Sequence, residues 1–402
     1  MKKFSFKSGP AIIITAAFIG PGSLTVCAIA GAEFGFELLW GVLISCLITI
    51  FIQNSVARLS FFSGMGLLEN LNIKTSNTFI KLIIITLVLF AVFIGNAAYE
   101  AGNISGAYLG LEGILKNLFN KNFAVSKNLI LFLIGFFVII SIWNKKNNFL
   151  KNILRVAVLV MSISFVFSAI LTSPSVSEIA SSLLIPRWRP ETWKTIIALI
   201  GTTIVPYNLF LHAALVKNLK RNKINFLSLK HDTIIAVSFG GIISIAIIVS
   251  AAGAKINNIE SIIDLGNALS NLYGPFSQIF ISIGLFSAGL SSAITAPMAA
   301  GFVVEECFGN YYNKSFLNKL AVVIVVFAGV FFSTTNINPI VLIKTAQITN
   351  GLLLPIVIFF LTILFFPKKT DRLINKLNYF LLFSLFIFFA FLSIRVMYLY
   401  YF

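Results

Sequence analysis

The sequence is short of acid. Its 402 residues hold 13 Asp and Glu against 30 Lys and Arg, and only 11% are charged. A soluble domain carries roughly 25%. Histidine occurs twice and cysteine three times. Cys27, Cys46 and Cys307 stand alone in or beside apolar stretches, with no CxxC spacing. That excludes a cysteine zinc site or a redox pair and leaves buried, inert thiols as the expectation. No nucleophile cluster and no pair of intramembrane carboxylates converges, so an enzyme is not expected, and neither is a cofactor. Nothing resembles an ATP-binding motif.

Apolar residues are abundant, at 58% with 14% aromatic, and mean hydropathy is +0.97. Apolar windows predict an all-α, polytopic membrane protein of eleven spans: 11–34, 38–59, one within 79–110, 127–143, 153–172, 194–216, 233–253, 274–303, 318–333, 339–366 and 377–400. Trp188 and Trp193, in the polar stretch before the sixth span, suit a membrane–water boundary. With the N-terminus in the cytoplasm, 21 Lys and Arg fall on inner segments and 7 on outer ones. The positive-inside rule then accounts for most of the +17 net charge, without nucleic acid as a partner. It also favours an odd number of spans. Lys2, Lys3 and Lys7 before an apolar run imitate a signal peptide, but Gly20-Pro21-Gly22 splits that run, so the segment is expected to be retained.

Two spans are broken in the middle. The first, 11–34, holds Gly20-Pro21-Gly22-Ser23. The sixth, 194–216, holds Thr202-Thr203-Ile204-Val205-Pro206-Tyr207-Asn208, with its proline 185 residues later. Proline lacks an N–H and clashes with the preceding turn. Backbone groups left unpaired at membrane depth are tolerated only where protein or a watery cavity covers them. Matching breaks in two halves point to a midplane binding site. The predicted plan is therefore one membrane domain, 1–402. It is built from a first five-helix repeat at 9–172, an inverted second repeat at 194–366 and a peripheral eleventh helix at 377–402.

Glu100 is the acid that falls inside a span, which makes it a functional candidate. A structural carboxyl bonded between helices is the alternative. His212, just after the second break, can exchange a proton near neutral pH or serve as a packed donor. Lys344 shares a helix face with Gln347. It is expected to snorkel to the outer interface, the alternative being a cation beside the site. Gly102, Gly106 and Gly110, four apart, predict close helix packing. The breaks supply hard oxygens: carbonyls near Gly20 and Thr202, the hydroxyls of Ser23, Thr202, Thr203 and Tyr207, and the amides of Asn208 and Gln347. Such oxygens suit Mg²⁺, Ca²⁺ or Mn²⁺, and equally a small polar solute.

The motifs resemble those of the Nramp family of divalent-metal transporters. They are Gly9-Pro10-Ala11 and Gly20-Pro21-Gly22-Ser23, Ala30 to Trp40, Gly201 to His212, Ala288 to Thr295, and Gln347 with Leu353-Leu354-Pro355. The resemblance implies a LeuT-like fold of 5+5 inverted helices. It also implies discontinuous helices 1 and 6 and rocking access to a midplane ion site, usually with proton coupling. By the same resemblance the substrate contacts fall on Gly20, Ser23, Thr202, Val205, Tyr207 and Gln347, and the helix breaks on Pro21, Gly22, Pro206 and Asn208. The proton path falls on Glu100 and His212. The departures are specific. The family's Asp-Pro-Gly-Asn has Gly20 and Ser23 in place of its Asp and Asn. Its Met-Pro-His has Val205 and Tyr207 in place of Met and His, and a proton-path Asp falls at Ala97. The charged ligand and the sulfur ligand are both missing. Three accounts remain: secondary-active transport of a divalent cation of the Mn, Fe or Mg type, transport of a different small solute, or a homologue that has lost transport. The partners expected are the cation as substrate and the bilayer, with no obligate protein partner. The Ile, Lys, Asn and Phe bias fits a bacterial inner membrane.

Overall fold

The computed structural model describes residues 19–119, 125–144, 148–217, 219, 225–254, 259–308, 313–367 and 373–401. The front half of the first span, 11–18, Gly9-Pro10-Ala11 and loop cations such as Lys145, Lys146, Arg221 and Lys368 lie outside them.

Sixteen α-helices and two 3₁₀ turns make up the described structure: α1 (Pro21–Phe34), α2 (Leu39–Ser63), α3 (Leu67–Lys74), α4 (Thr78–Leu118), α5 (Lys127–Trp143), α6 (Asn148–Leu171), α7 (Val176–Leu184), α8 (Trp193–Thr203), α9 (Pro206–Val216), α10 (Phe226–Gly253), α11 (Ile262–Asn267), α12 (Ser270–Tyr273), α13 (Ser277–Phe308), α14 (Lys314–Ser333), α15 (Pro339–Leu364) and α16 (Leu373–Tyr401). Among the described residues, nine segments are long and apolar enough to cross a membrane. The 17-residue α5 is a shorter apolar helix, and α1 is the described part of the first broken span. Each of the eleven expected spans therefore has its helix, and the protein is a multi-pass integral membrane protein.

The helices start where the sequence caps them. Asn77, Asn225, Asn313 and Asn338 each accept a first-turn backbone N–H with the side-chain oxygen. They thus occupy donors that a helix cannot pair itself. Side chains that face lipid are apolar and exposed, among them Phe79, Phe132, Phe136, Phe327 and Phe380. In contrast, the apolar stretch through α8 and α9 is wholly buried. The second broken span is thus the axis of the bundle. α1, α4, α13 and α15 pack around it.

Three expectations change. The third span is not confined to 79–110. α4 runs 41 residues, about 60 Å at 1.5 Å per residue, roughly twice the hydrocarbon thickness. No proline interrupts it, so it continues beyond the membrane. The seventh span begins earlier, at Phe226. Cys307 is only partly buried, unlike Cys27 and Cys46. The glycines behave as expected. A Cβ on Gly102 would meet Ala346 and Ile343, one on Gly106 would overlap Pro21, and one on Gly110 would lie 2.6 Å from the Ser282 carbonyl.

Ion pairs fix the relative directions of the broken spans. Glu33, at the C-terminal end of α1, lies 3.8 Å from Lys344, near the start of α15. Lys344 is therefore paired as well as partly exposed, and it stays outside the broken segments. At the other end, Lys217 follows α9 and lies 3.5 Å from Glu69 of α3, whose Lys74 donates to the Leu364 carbonyl where α15 stops. α1 and α9 therefore end at opposite faces of the bundle.

Candidate functional site

Both breaks are built by a proline at the first position of a helix. Gly20, in extended conformation, caps α1 and Pro21 opens it. Val205, also extended, caps α9 and Pro206 opens it. Pro206 lacks the N–H that would pair the Thr202 carbonyl in a continuous helix. The neighbouring Thr203 carbonyl accepts only a long bond, 3.5 Å, from Thr49. Two helix N-termini with unpaired amides and one helix C-terminus with unpaired carbonyls thus meet in the interior.

The polar side chains collect around that junction. A Cβ on Gly20 would lie 2.8 Å from Ser292 Oγ and 3.4 Å from the Tyr99 hydroxyl, and one on Gly22 would overlap the Gln347 amide. A Cβ on Gly201 would press on the Gln347 carbonyl and the Gly351 nitrogen. The Tyr99 and Tyr207 rings meet edge to face at 5.2 Å. Val205, Tyr207 and Leu211 pack with Tyr99, Ala296 and Ala299. The structure therefore brings Gly20, Pro21, Gly22, Val205, Pro206, Tyr207 and Gln347 together, with Thr202 on the turn before the second break.

These residues are buried with polar groups to spare. Among the described residues, 21 buried side-chain N and O atoms have no hydrogen-bond partner. Fourteen of them belong to Asn96, Glu100, Asn103, Thr202, Tyr207, Asn208, His212, Ser292, Gln347 and Asn350. Buried polar groups are ordinarily paired, so each unpaired one calls for a water, an ion or a ligand. A concentration of them at two helix breaks is the signature of a wet site.

Ser23 departs from expectation. Its hydroxyl accepts from the Gly20 N–H at 3.1 Å and donates to the Gly20 carbonyl at 3.0 Å. It closes the cap of α1 and orients Gly20 instead of presenting an open oxygen. Glu100 is fully buried on α4, with its stem against Gly329 of α14. His212 is fully buried on α9. Neither ring nitrogen of His212 has a hydrogen-bond partner among the described residues.

Sequence reasoning did not single out Tyr99 and Ser292, whose hydroxyls stand beside Gly20, or Asn350, which faces Gly95 of α4. A signal existed on α4, where Asn96, Tyr99, Glu100 and Asn103 are spaced to share one helix face. It also missed the ion cluster at one end of the bundle. There Glu306 of α13, buried, accepts from the Leu68 N–H at 3.2 Å and lies 3.6 Å from Lys217. This cluster ties α9 to α13 and α3. At the other end Arg189 donates to Glu37 and Lys344 pairs with Glu33. The broken segments lie between two sets of charge contacts.

Antiparallel broken helices around an unpaired polar interior define a LeuT-type transporter fold, and solved structures show the same architecture. A manganese transporter of Eremococcus coleocola superposes with TM-score 0.72 at 17% identity, over 96% of this chain and 85% of that one. Mhp1, a nucleobase-cation-symport-1 family transporter, gives 0.61 at 12% identity, over 97% and 90%. The sequence matches the family described as natural resistance-associated macrophage protein-like, Nramp, over residues 11–399. The chain belongs to the Nramp family. It is 25% identical over 362 residues to the divalent metal cation transporter MntH of Yersinia pestis, covering 87% of this chain and 85% of that one. It is 27% identical over 324 residues to the natural resistance-associated macrophage protein 2 homolog of Dictyostelium discoideum. It covers 75% of itself and about half, 49%, of that relative.

Proposed function

We propose that the protein is a secondary transporter that carries a divalent metal cation through the bilayer by alternating access. The observation that carries this reading is the set of unpaired oxygens at the two breaks. The proposed contacts are the Thr202 carbonyl, which Pro206 cannot pair, the hydroxyls of Thr202 and Tyr207, and the side-chain oxygen of Gln347; the Gly20 and Val205 carbonyls beside them already accept the Leu24 and Asn208 N–H groups. Ser23 acts through Gly20. Tyr99 and Ser292 are further proposed contacts, because their hydroxyls stand beside Gly20, where the family pattern has a carboxylate. All of these donors are neutral and hard. They replace part of a hydration shell without neutralising the ion, and they favour Mn²⁺ or Mg²⁺ over thiophilic metals. A small polar solute is the second reading, favoured by the same absence of charge. The proposed orientation, with the N-terminus in the cytoplasm, follows the Lys and Arg distribution, and the proposed bacterial inner membrane follows the Ile, Lys, Asn and Phe bias.

Uptake into liposomes tests the reading. With Mn²⁺, Fe²⁺, Mg²⁺, Ca²⁺ and amino acids offered singly, with and without a pH gradient, saturable uptake of at least one metal is expected. Uptake of amino acids and of no metal overturns it.

Glu100 and His212 are proposed to hold and hand on the coupling proton. Glu100→Gln, nearly isosteric, is expected to leave uptake measurable and to abolish its response to a pH gradient. An unchanged response removes Glu100 from the proton path.

Opening the Lys217 end requires its charge contacts to part. In Lys217→Gln, Glu306 loses its cation while staying buried. The closed form of that end is expected to weaken by about 1–3 kcal/mol, less than the loss of a fully buried pair because Lys217 is partly exposed. Labelling of the partly buried Cys307 by a small water-soluble maleimide is expected to accelerate several-fold, and an unchanged labelling rate contradicts the gate.

A further inference from the structure

A cavity of about 510 Å³ opens between α2, α10 and α16, away from the helix breaks and beside none of the site residues. Arg58 and Lys230 line it, with Asn54, Asn378 and the rings of Phe62 and Phe226. A neighbouring cavity of about 360 Å³ shares Arg58, Phe62 and Asn378. Arg58 lies near the end of α2, Lys230 in the second turn of α10 and Asn378 in the second turn of α16. All three therefore sit at one rim of the bundle, the rim at which α3 follows α2.

The chemistry of this cavity is two-sided. Among the described residues, neither Arg58 nor Lys230 takes part in an ion pair. The side-chain oxygen of Asn54 is buried without a partner. Two cations lining one cavity repel each other, and among the described residues neither has an ionic partner. The wall beside them is apolar. The Phe62 and Phe226 rings lie 5.4 Å apart, and Phe62 is 56% exposed. A ligand that satisfies both parts has an anionic head for the two cations, a hydroxyl donor for the Asn54 oxygen, and a hydrocarbon tail.

We propose that this cavity binds the phosphate headgroup of an anionic phospholipid. The Arg58 guanidinium and the Lys230 ammonium pair with the phosphate oxygens, the Asn54 side-chain oxygen accepts from a headgroup hydroxyl, and the Asn378 amide N–H donates to the headgroup. The aromatic wall carries the first part of an acyl chain. Basic pockets between helices recognise acidic lipid headgroups by this combination. Free phosphate would use the cations and leave the aromatic wall without a role.

Native mass spectrometry of the detergent-purified protein with added phosphatidylglycerol or phosphatidylcholine tests the proposal. The wild type is expected to retain phosphatidylglycerol in preference. The double variant Arg58→Gln/Lys230→Gln is expected to bind it about 30-fold more weakly, the effect of two basic residues near an anionic surface. Lys314→Gln/Lys319→Gln, which removes the same charge from α14, is expected to bind as the wild type does. If the double variant does not fold, Arg58→Gln alone is expected to weaken binding about fivefold. Retention of phosphatidylglycerol by the folded variants equal to wild type overturns the proposal. So does a thermal stabilisation by inorganic phosphate as large as that by phosphatidylglycerol.

Discussion

Gly22→Ala is expected to yield a folded, membrane-inserted protein whose metal uptake is slowed by roughly tenfold to 100-fold. The three atoms nearest the added methyl group all belong to the amide of Gln347, the far end of a flexible side chain. That amide can swing aside with little strain, so the helices need not move. Swinging aside takes the Gln347 oxygen from its place opposite the first break. A displacement of about 1 Å in a positioned group can cost two orders of magnitude in rate. The measurement is initial uptake into liposomes at matched protein incorporation. Wild-type kinetics in Gly22→Ala would separate Gln347 from the transport site.

Gly201→Ala carries the same methyl group and is expected to fail differently. Its Cβ would press on the Gln347 carbonyl and lie 2.6 Å from the Gly351 nitrogen, both backbone atoms of α15. Gly351 faces back in the same way, since its own Cβ would lie 2.5 Å from the Ile197 carbonyl. α8 and α15 therefore touch along their backbones, and neither can yield without moving a helix. Overpacking of this kind costs about 1–3 kcal/mol, and at this contact it bears on the buried axis of the bundle. The thermal midpoint in detergent is expected to fall by several degrees, with loss of the monodisperse peak. An unshifted midpoint contradicts the close contact. The two alanine variants together distinguish a glycine that makes room for a ligand-bearing side chain from one that makes room for a helix.

Much of this architecture was legible because its signals are local. Asn caps, apolar windows and two Pro-centred breaks each lie within a few residues, and they located the spans and the two interruptions. Glu100 announced itself as a carboxyl in an apolar run. What escaped depends on tertiary contact. Hydropathy averages hide single polar residues, so Ser292 and Asn350 were indistinguishable from packing serines and asparagines on long helices. The engagement of Ser23 with Gly20 is a choice between two rotamers, invisible in composition. Lys217 and Glu306 are distant in sequence and meet only because α9 and α13 end at the same face. The full length of α4 was missed because hydropathy marks where lipid ends, whereas the backbone bonds of a helix continue until something breaks them.

The proposed site carries no carboxylate beside the first break. In the space beside Gly20 stand the hydroxyls of Ser292 and Tyr99, with the Tyr207 ring packed against Tyr99. An ion bound there keeps its charge uncompensated by the residues that touch it and depends on oriented carbonyls and hydroxyls. Weak binding and fast release are the consequence expected of such a site. Selectivity would rest on size and on how much hydration water the ion retains.

The most direct test is equilibrium binding of Mn²⁺ to the purified protein, followed by the loss of the free-ion electron paramagnetic resonance signal. The wild type is expected to bind one ion per chain, and Gln347→Ala combined with Tyr207→Phe to bind it at least about tenfold more weakly, the loss of roughly 1.4 kcal/mol. Unchanged affinity in that variant would contradict the placement of the ion at the two helix breaks.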